Sequence, residues 1–276
     1  MKEVKADLHN HLKTGSYMPN GIFNRAIDMA QKRLGYGGMI GIVNFDEDRR
    51  YEDFSDLYGY SRDDFGSGFH VPETGITVVR GQEVQTSQGH LLVLGLTRDV
   101  RLKARRTLAD TIKEARDNDG ILIAAHPFYR EGIGNCLEAY PRLIDELDGI
   151  EVHNGEAALW IPGVTPRGAN QQARDFALRK GLDIALSGPE ADRPGLISSS
   201  DGHSLYEIGR SYTVLEMPDE GIVCNTKEFN KSLRKAIRSS RSNYESRDSR
   251  LGALDHFADL ALIIAASKLG ISLKNI

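Results

Sequence analysis

Residues 6–11 read A-D-L-H-N-H. On an extended chain, positions i and i+2 point the same way, so His9 and His11 can present both imidazoles to one point. The segment S-S-S-D-G-H-S repeats that spacing with Asp201 and His203. I-A-A-H-P-F sets His126 directly after an apolar run, where a pure core strand would carry another apolar residue. G-Q-E-V places Glu83 at the end of a further run, followed by His90 in Q-G-H-L-L-V-L. Any one of these histidines is readily explained as a hydrogen-bonded core residue. Five histidines and two acids, all at predicted strand ends, point instead to a metal centre. Neutral imidazole with carboxylate suits Zn, Mn or Fe, and the lack of thiolate argues against a closed structural zinc site. Ligands arriving from separate strand ends, with a carboxylate able to bridge, suggest two divalent ions sharing a hydroxide.

Other chemistries fit less well. Gly35-Tyr36-Gly37-Gly38 follows a helix and precedes a strand, the reverse of a nucleotide-binding order. No G-x-S-x-G elbow is present. Ser198, Ser199, Ser200 and Asp201 are too close in sequence to converge as a triad.

The elements that must position these residues are legible as alternating patterns. Short apolar runs predict strands at Val4–Leu8, Met39–Val43, Ile76–Val79, Leu91–Leu94, Ile121–Ala125, Gly149–Val152, Leu182–Leu186 and Tyr212–Leu215. Between them, Ile22, Ala26, Ile27, Ala30 and Leu34 share one helix face, with Gly35 as a stop. Thr107 is an N-cap ahead of Leu108, Ile112 and Ala115, and Ala173, Phe176 and Ala177 lead to Gly181. Strands alternating with helices imply an α/β fold with a parallel sheet. A barrel is preferred over an open sheet, because polar clusters recur at strand ends, where barrel enzymes place their sites.

Two stretches break the rhythm. Phe45–Gly75 is a long acidic connection, read either as a solvated insertion or as a lid over the site. From Lys227 to Arg250 there are eight basic residues against three acidic ones, read as a solvated helix face in preference to a nucleic-acid patch.

Composition narrows the class. The chain has 276 residues, 40% of them hydrophobic, and 35 Lys+Arg against 39 Asp+Glu. That length buries a substantial core, and a net charge of −4 gives no polyanion-coating surface. Two cysteines in no paired spacing fit a reducing, cytoplasmic setting, and the first residues lack the apolar run of a signal peptide. Leu251–Gly270 is apolar but carries Asp255, His256, Asp259 and Lys268, so it reads as a buried or interface helix that could support a homo-oligomer, not as a membrane span.

The order of motifs resembles the PHP (polymerase and histidinol phosphatase) family. The likeness lies in D-L-H-N-H (7–11), G-x-E (81–83), G-H-L-L (89–92), A-H-P (125–127), I-E-V-H-N (150–154) and S-D-G-H-S-L-x-E-I-G (200–209), which span most of residues 1–215. The resemblance implies a distorted (β/α)7 TIM-like barrel over 1–220, with 221–276 as a helical extension packed on the same domain. It implies two or three metals at the strand C-termini, with phosphoester hydrolysis as the commonest activity. Carried over by position, His9, His11, Glu83 and Asp201 would hold one metal. Glu83, His90 and His126 would hold the second, with Glu83 bridging. The family's third site is not matched: Ser16 stands where an Asp is usual, and Val43-Asn44-Phe45 replaces T-D-H. His203 alone survives from it, so the expectation is a two-metal centre.

Loss of that site leaves a phosphate to be held by other means. His203 is the candidate general acid, and Arg130, then Lys13, are the candidate clamping cations. Arg210 reads equally well as a structural ion pair. His153 would line the site or support it from behind, and Asp7 would orient an imidazole or close a strand-end network. His70 and His256 read as surface or packing residues. The expected function is a metal-dependent phosphoesterase acting on a small phosphomonoester or nucleotide. A degenerate binding barrel, a nucleic-acid-processing protein and a two-metal amidohydrolase are the alternatives.

Overall fold

The computed structural model describes residues 1–12, 21–158, 168–182, 193–218 and 225–240, together with the backbone of 244–246. Lys13, Ser16, Cys224, His256 and the expected helix 251–270 lie outside the described residues, as does the expected strand 182–186 beyond Leu182. In chain order the elements are β1 (Lys2–Asn10), α1 (Ile22–Leu34), β2 (Met39–Phe45), α2 (Arg50–Ser55), β3 (Asp63–Asp64) and β4 (Gly68–Val71). There follow β5 (Ile76–Thr86), β6 (Gly89–Leu94), α3 (Leu108–Asp117), β7 (Ile121–Ala124), α4 (Gly134–Ala139) and α5 (Arg142–Asp145). The last are β8 (Gly149–Asn154), α6 (Gly155–Ala158), α7 (Ala169–Arg179), β9 (Gly195–Ser199), β10 (Ser211–Met217), α8 (Thr226–Ser239) and β11 (Tyr244–Ser246).

Among the described residues the main sheet runs β10-β1-β2-β5-β6-β7-β8-β9, a nearly closed, barrel-shaped ring. It is not a clean (β/α)7 repeat. β5 and β6 are joined by the tight turn Thr86–Gly89, and a hairpin forces its strands antiparallel. β6 is also antiparallel to β7, and β10 to β1. The other pairings are parallel, so β1, β2, β5, β7, β8 and β9 end on one rim. The start of β6 reaches the same rim, which is why His90 opens its strand while the other site residues close theirs.

Of the strands in this ring, the one missed by sequence reading is β9. Its Gly-Leu-Ile-Ser-Ser has too short an apolar run to stand out, yet Ser198 and Ser199 are buried inside the barrel. Ser198 N–H donates to Thr213 Oγ1, and Thr213 in turn donates to Ser198 O, across the gap between β9 and β10.

The barrel interior is apolar below the rim, with Ala6, Leu8, Met39, Val79, Leu92 and Ile123 in one cluster. Phe229, Leu233, Ala236 and Ile237 from one face of α8 join it. The basic stretch therefore divides. Its apolar stripe seals the core, and two of its arginines are spent on the barrel. Arg238 Nε is 2.7 Å from Asp148, and Arg234 donates to Asp119 Oδ1 at 2.8 Å. Among the described residues the solvated face is the one that carries Lys227, Lys231 and Lys235, while those two arginines are not available for a nucleic-acid patch.

Phe45–Gly75 is neither a solvated insertion nor a lid. It folds as α2, β3 and β4, and Tyr51, Phe54, Phe65 and Phe69 are buried with α1 or the barrel wall. The acidic composition hid those aromatics. Glu52 is the acid that turns inward, accepting from Arg80 Nε at 2.8 Å and Asn44 Nδ2 at 2.9 Å. Burial would raise its pKa, but the Arg80 hydrogen bond and charge outweigh this and hold it below the usual value. A carboxylate lowered on folding stabilises above its unfolded pKa and loses that contribution as pH falls. Glu52→Gln leaves Arg80 buried without a counter-charge, and the expected loss is about 3–5 kcal/mol at pH 7. In urea unfolding at several pH values, the gap between wild type and variant should narrow in acid.

β1 carries a bulge. Asp7 pairs with Ile40 but Asn10 with Ile42, so β1 has one extra residue there. The displaced Leu8 carbonyl sits against Gly41, where an added Cβ would lie 2.1 Å from it. Both contacting groups are backbone, so neither yields easily. Gly41→Ala is expected to cost on the order of 3 kcal/mol, read as a lower denaturation midpoint.

Candidate metal centre

The bulge aims the end of β1 into the rim. His9 Nε2 lies 3.0 Å from His11 Nε2. Glu83, on β5, comes within 3.1 Å of His11 Nε2 through Oε2 and 3.8 Å of His9 Nε2 through Oε1. Asp201, just past β9, faces the same two nitrogens at 3.5 and 3.6 Å. Glu83 Oε1 also meets His126 Nε2 at 2.9 Å and His90 Nδ1 at 3.1 Å. The six residues expected to ligate are thus brought together. His9, His11 and Glu83 form one group that could hold an ion, and Glu83, His90 and His126 form another, with Glu83 common to both.

The rings are set from behind. His11 Nδ1 lies 3.1 Å from Val43 O, and His9 Nδ1 lies 2.9 Å from Glu151 Oε1. A carbonyl can only accept, so the His11 proton is on Nδ1 and its Nε2 carries a lone pair. Glu151 fixes His9 in the same way. Two Nε2 atoms oriented thus at 3.0 Å require a cation between them, a proton on one ring or a metal shared by both.

Glu151 is the residue sequence reading missed. It is buried on β8 and accepts from His126 N at 2.6 Å and Asn154 Nδ2 at 3.0 Å, and the Ser199 hydroxyl also bonds to it. Asn154 Nδ2 donates equally to Asp201 Oδ2. Strict alternation would give Glu151 and His153 one face. A second bulge, with Glu151 opposite Ile197 and His153 opposite Ser198, breaks the phase. His153 therefore turns away, and its Nδ1 accepts from Arg174 at 3.1 Å. The available signal was an acid and an amide beside a histidine in I-E-V-H-N.

Asp7 closes a network instead of orienting an imidazole. Its carboxylate accepts from Ser200 N at 2.9 Å and Gly209 N at 2.7 Å, tying β1 to the segment that carries Asp201 and His203. His126 and Asp201 adopt left-handed backbone, with φ of 28° and 51°. Such conformations are costly for non-glycine residues and concentrate at functional sites.

The charges are strongly coupled. Burial alone would push the His9 pKa down, but Asp201 and Glu151 hold it well above the usual imidazole value. His126 is raised to about 9, burial being outweighed by its bond to Glu83. Glu83 is held well below the usual range, because hydrogen bonds from His11, His126 and His9 overcome its burial. The negative potential that draws protons to these rings also favours a divalent cation.

His203 sits beside this group, its ring 5.2 Å from that of His11. Burial and the neighbouring His11 push its pKa down to about 4. Its Nδ1 lies 3.0 Å from Asp201 O, so the neutral ring keeps its proton there and presents Nε2 as an acceptor. Phe45 packs edge-on against His11 and His90, in place of a ligand.

The cations differ in how they are spent. Arg130 is half exposed, stacked on Tyr129, and its Nη1 is 3.6 Å from Glu156. Arg210 donates to Tyr206 O, a structural contact. Arg50, not singled out by its sequence setting, donates to His11 O at 3.2 Å and through Nε to Asp48. Both contacts are made by its guanidinium, Nη1 toward His11 and Nε toward Asp48.

No family model matches the chain. Its fold is shared with known structures. The crystal structure of PsfC from Pseudomonas syringae PB-5123 superposes with a TM-score of 0.64 at 17% identity, covering 95% of this chain and 100% of that one. The lesion-specific endonuclease PfuEndoQ from Pyrococcus furiosus gives 0.52 at 17% identity, over 86% of this chain and 56% of the endonuclease. In sequence, an uncharacterized protein of Methanocaldococcus jannaschii is 32% identical over 83 residues, 30% of this chain. The chain spans only 45% of that relative's length. At these identities the structural likenesses establish a common fold.

Proposed function

We propose that the protein is a metal-dependent phosphoesterase of PHP type acting on a small phosphorylated substrate. The observation that carries this is the pair of Nε2 atoms 3.0 Å apart, each locked by a hydrogen bond at its own Nδ1, with Glu83 and Asp201 around them. This donor set fits divalent Zn, Mn or Fe. Bound ions of this kind supply Lewis-acid charge and lower the pKa of bound water, giving a nucleophile near neutral pH.

The chain's residues do the rest. His9, His11, Glu83 and Asp201 would hold one ion, and Glu83, His90 and His126 the second. Glu151 keeps His9 in the ligating tautomer and props the His126 backbone. Of the cations, Arg50 is better placed than Arg130 to meet a phosphoryl oxygen, because its Nη1 bond to His11 O sets the guanidinium beside the histidines, whereas the tip of Arg130 faces Glu156. Lys13 follows His11 closely enough in sequence to stay a third candidate. In its neutral tautomer His203 is suited to accept a proton or to hold a cation.

The fold shared with PfuEndoQ favours a second reading, hydrolysis of a phosphodiester in nucleic acid. Against it, Arg234 and Arg238 of the basic helix are committed to Asp119 and Asp148. One experiment separates the two. The metal-stripped protein is reloaded with Mn²⁺ or Zn²⁺ and offered a panel of phosphomonoesters, nucleotides and DNA oligonucleotides. Metal-dependent release of phosphate from monoesters is the expected result. Strand cleavage without it would select the nuclease, and neither activity in a metal-loaded protein would sink the phosphoesterase reading.

A further inference from the structure

His90 is held differently from the other histidines of the rim. His9 and His11 are bonded at Nδ1 and turn Nε2 toward Glu83. His90 does the reverse: its Nδ1 faces Glu83 Oε1 at 3.1 Å, and its Nε2 lies 3.1 Å from Glu131 Oε2. An ionised carboxylate only accepts, so Glu131 draws the ring proton to Nε2 and leaves the lone pair of Nδ1 toward Glu83.

Glu131 is placed for this by the chain around it. Its carbonyl accepts from His90 N at 2.7 Å, and the next residue, Gly132, bridges His90 in parallel. Gly89, with φ of 128°, allows that approach, since a Cβ there would lie 2.4 Å from Glu131 O. The carboxylate also accepts from Gln85 Nε2 at 2.5 Å, and Gln85 is the cross-strand partner of His90 in the β5–β6 hairpin. One acid is thus held by two paired residues. Exposure sets it apart from Glu151, which stands behind His9. The Glu151 side chain is fully buried, whereas that of Glu131 is 60% exposed. Removing it opens no core, and the backbone bonds that dock its loop remain.

We propose that Glu131 is a positioning residue for the second ion, holding His90 so that it ligates through Nδ1, and that affinity for that ion alone depends on it. This rests on the metal-centre reading above. Partners behind a ligating imidazole fix its tautomer and orientation, and losing one costs ~10–100-fold in metal affinity. Without Glu131 the ring proton can move to Nδ1, and that tautomer has no lone pair toward Glu83. The first ion keeps Glu151 and Val43 O behind its two imidazoles.

The test reads ring nitrogens and affinities together. Protein carrying ¹⁵N-labelled histidine is loaded with Zn²⁺, and long-range ¹H–¹⁵N NMR reports which nitrogen of each ring is bound. The expected result is an Nδ1-bound His90, assigned by its loss in His90→Gln, against Nε2-bound His9, His11 and His126. In Zn²⁺ titration against a chromogenic chelator, Glu131→Ala should weaken one of two ions at least ~10-fold and leave the other within ~2-fold. Glu131→Gln keeps an acceptor and should recover most of that loss. The urea midpoint of the metal-stripped protein should not move in either variant, as it would if Glu131 merely held the loop. An Nε2-bound His90 overturns the proposal. So do two affinities that stay unchanged in Glu131→Ala or fall together, and in these cases the paired centre stands. Wild type that takes up fewer than two zinc ions overturns the paired centre and the proposal with it.

Discussion

Glu83→Gln is expected to cost the protein its paired metal centre in one step. Glu83 is the carboxylate common to both donor groups, with Oε2 toward His11 and Oε1 toward His90 and His126. An amide keeps the shape but carries no charge, and its nitrogen cannot ligate. Bound metal should fall to at most one ion per chain. Metal-dependent phosphoesterase activity should drop by ~10³-fold or more, about 4 kcal/mol of transition-state stabilisation. Elemental analysis and rates at saturating Mn²⁺ check both. A variant that keeps both ions and most of its rate would show that Glu83 does not bridge.

Asp148→Ala should produce a large loss of stability. This carboxylate is fully buried at the foot of β8 and faces Arg116 and Arg238 at 2.7 Å each, and Arg234 at 3.7 Å. It also accepts from Leu122 N at 2.9 Å. Removing it leaves three part-buried guanidinium groups without their shared anion, a situation that costs about 3–5 kcal/mol. Urea unfolding should show the midpoint shift without loss of metal stoichiometry in the folded fraction. The same geometry bears on tests of nucleic-acid binding. Neutralising Arg234 or Arg238 would weaken the fold and confuse the result, so Lys231 and Lys235 are the positions to change.

The candidate ligands were legible because their chemistry is local. H-x-H, a histidine ending an apolar run and an acid at a strand end each announce themselves within a few residues, and the structure brings all six together. What was not legible depends on phase and on distant partners. The bulge in β8 turns Glu151 inward and His153 outward, against the alternation a regular strand would impose. The expected distorted (β/α)7 barrel is met as a nearly closed ring but departs from that repeat at β6 and β10, where a short hairpin turn and an antiparallel return replace crossover helices. Phe45–Gly75 misled because its buried aromatics are spaced irregularly among acids, so neither helical nor strand periodicity marks them.

Among the described residues the ring of strands is open at one place, between β9 and the β1–β10 pair, where the backbone is joined by the bridge of Asn10 with Gly202 and by His11 N–H donating to Gly202 O at 2.6 Å. His9 and His11 stand on one side of that gap and Asp201 on the other. An ion held by all three would act as a clasp across the barrel's weakest closure. Chelation should then loosen the molecule along that line first, with the amides of 9–12 and 200–204 exchanging hydrogen faster while β5 and β6 stay protected. In such a protein a bound metal would be a fastening as well as a reagent.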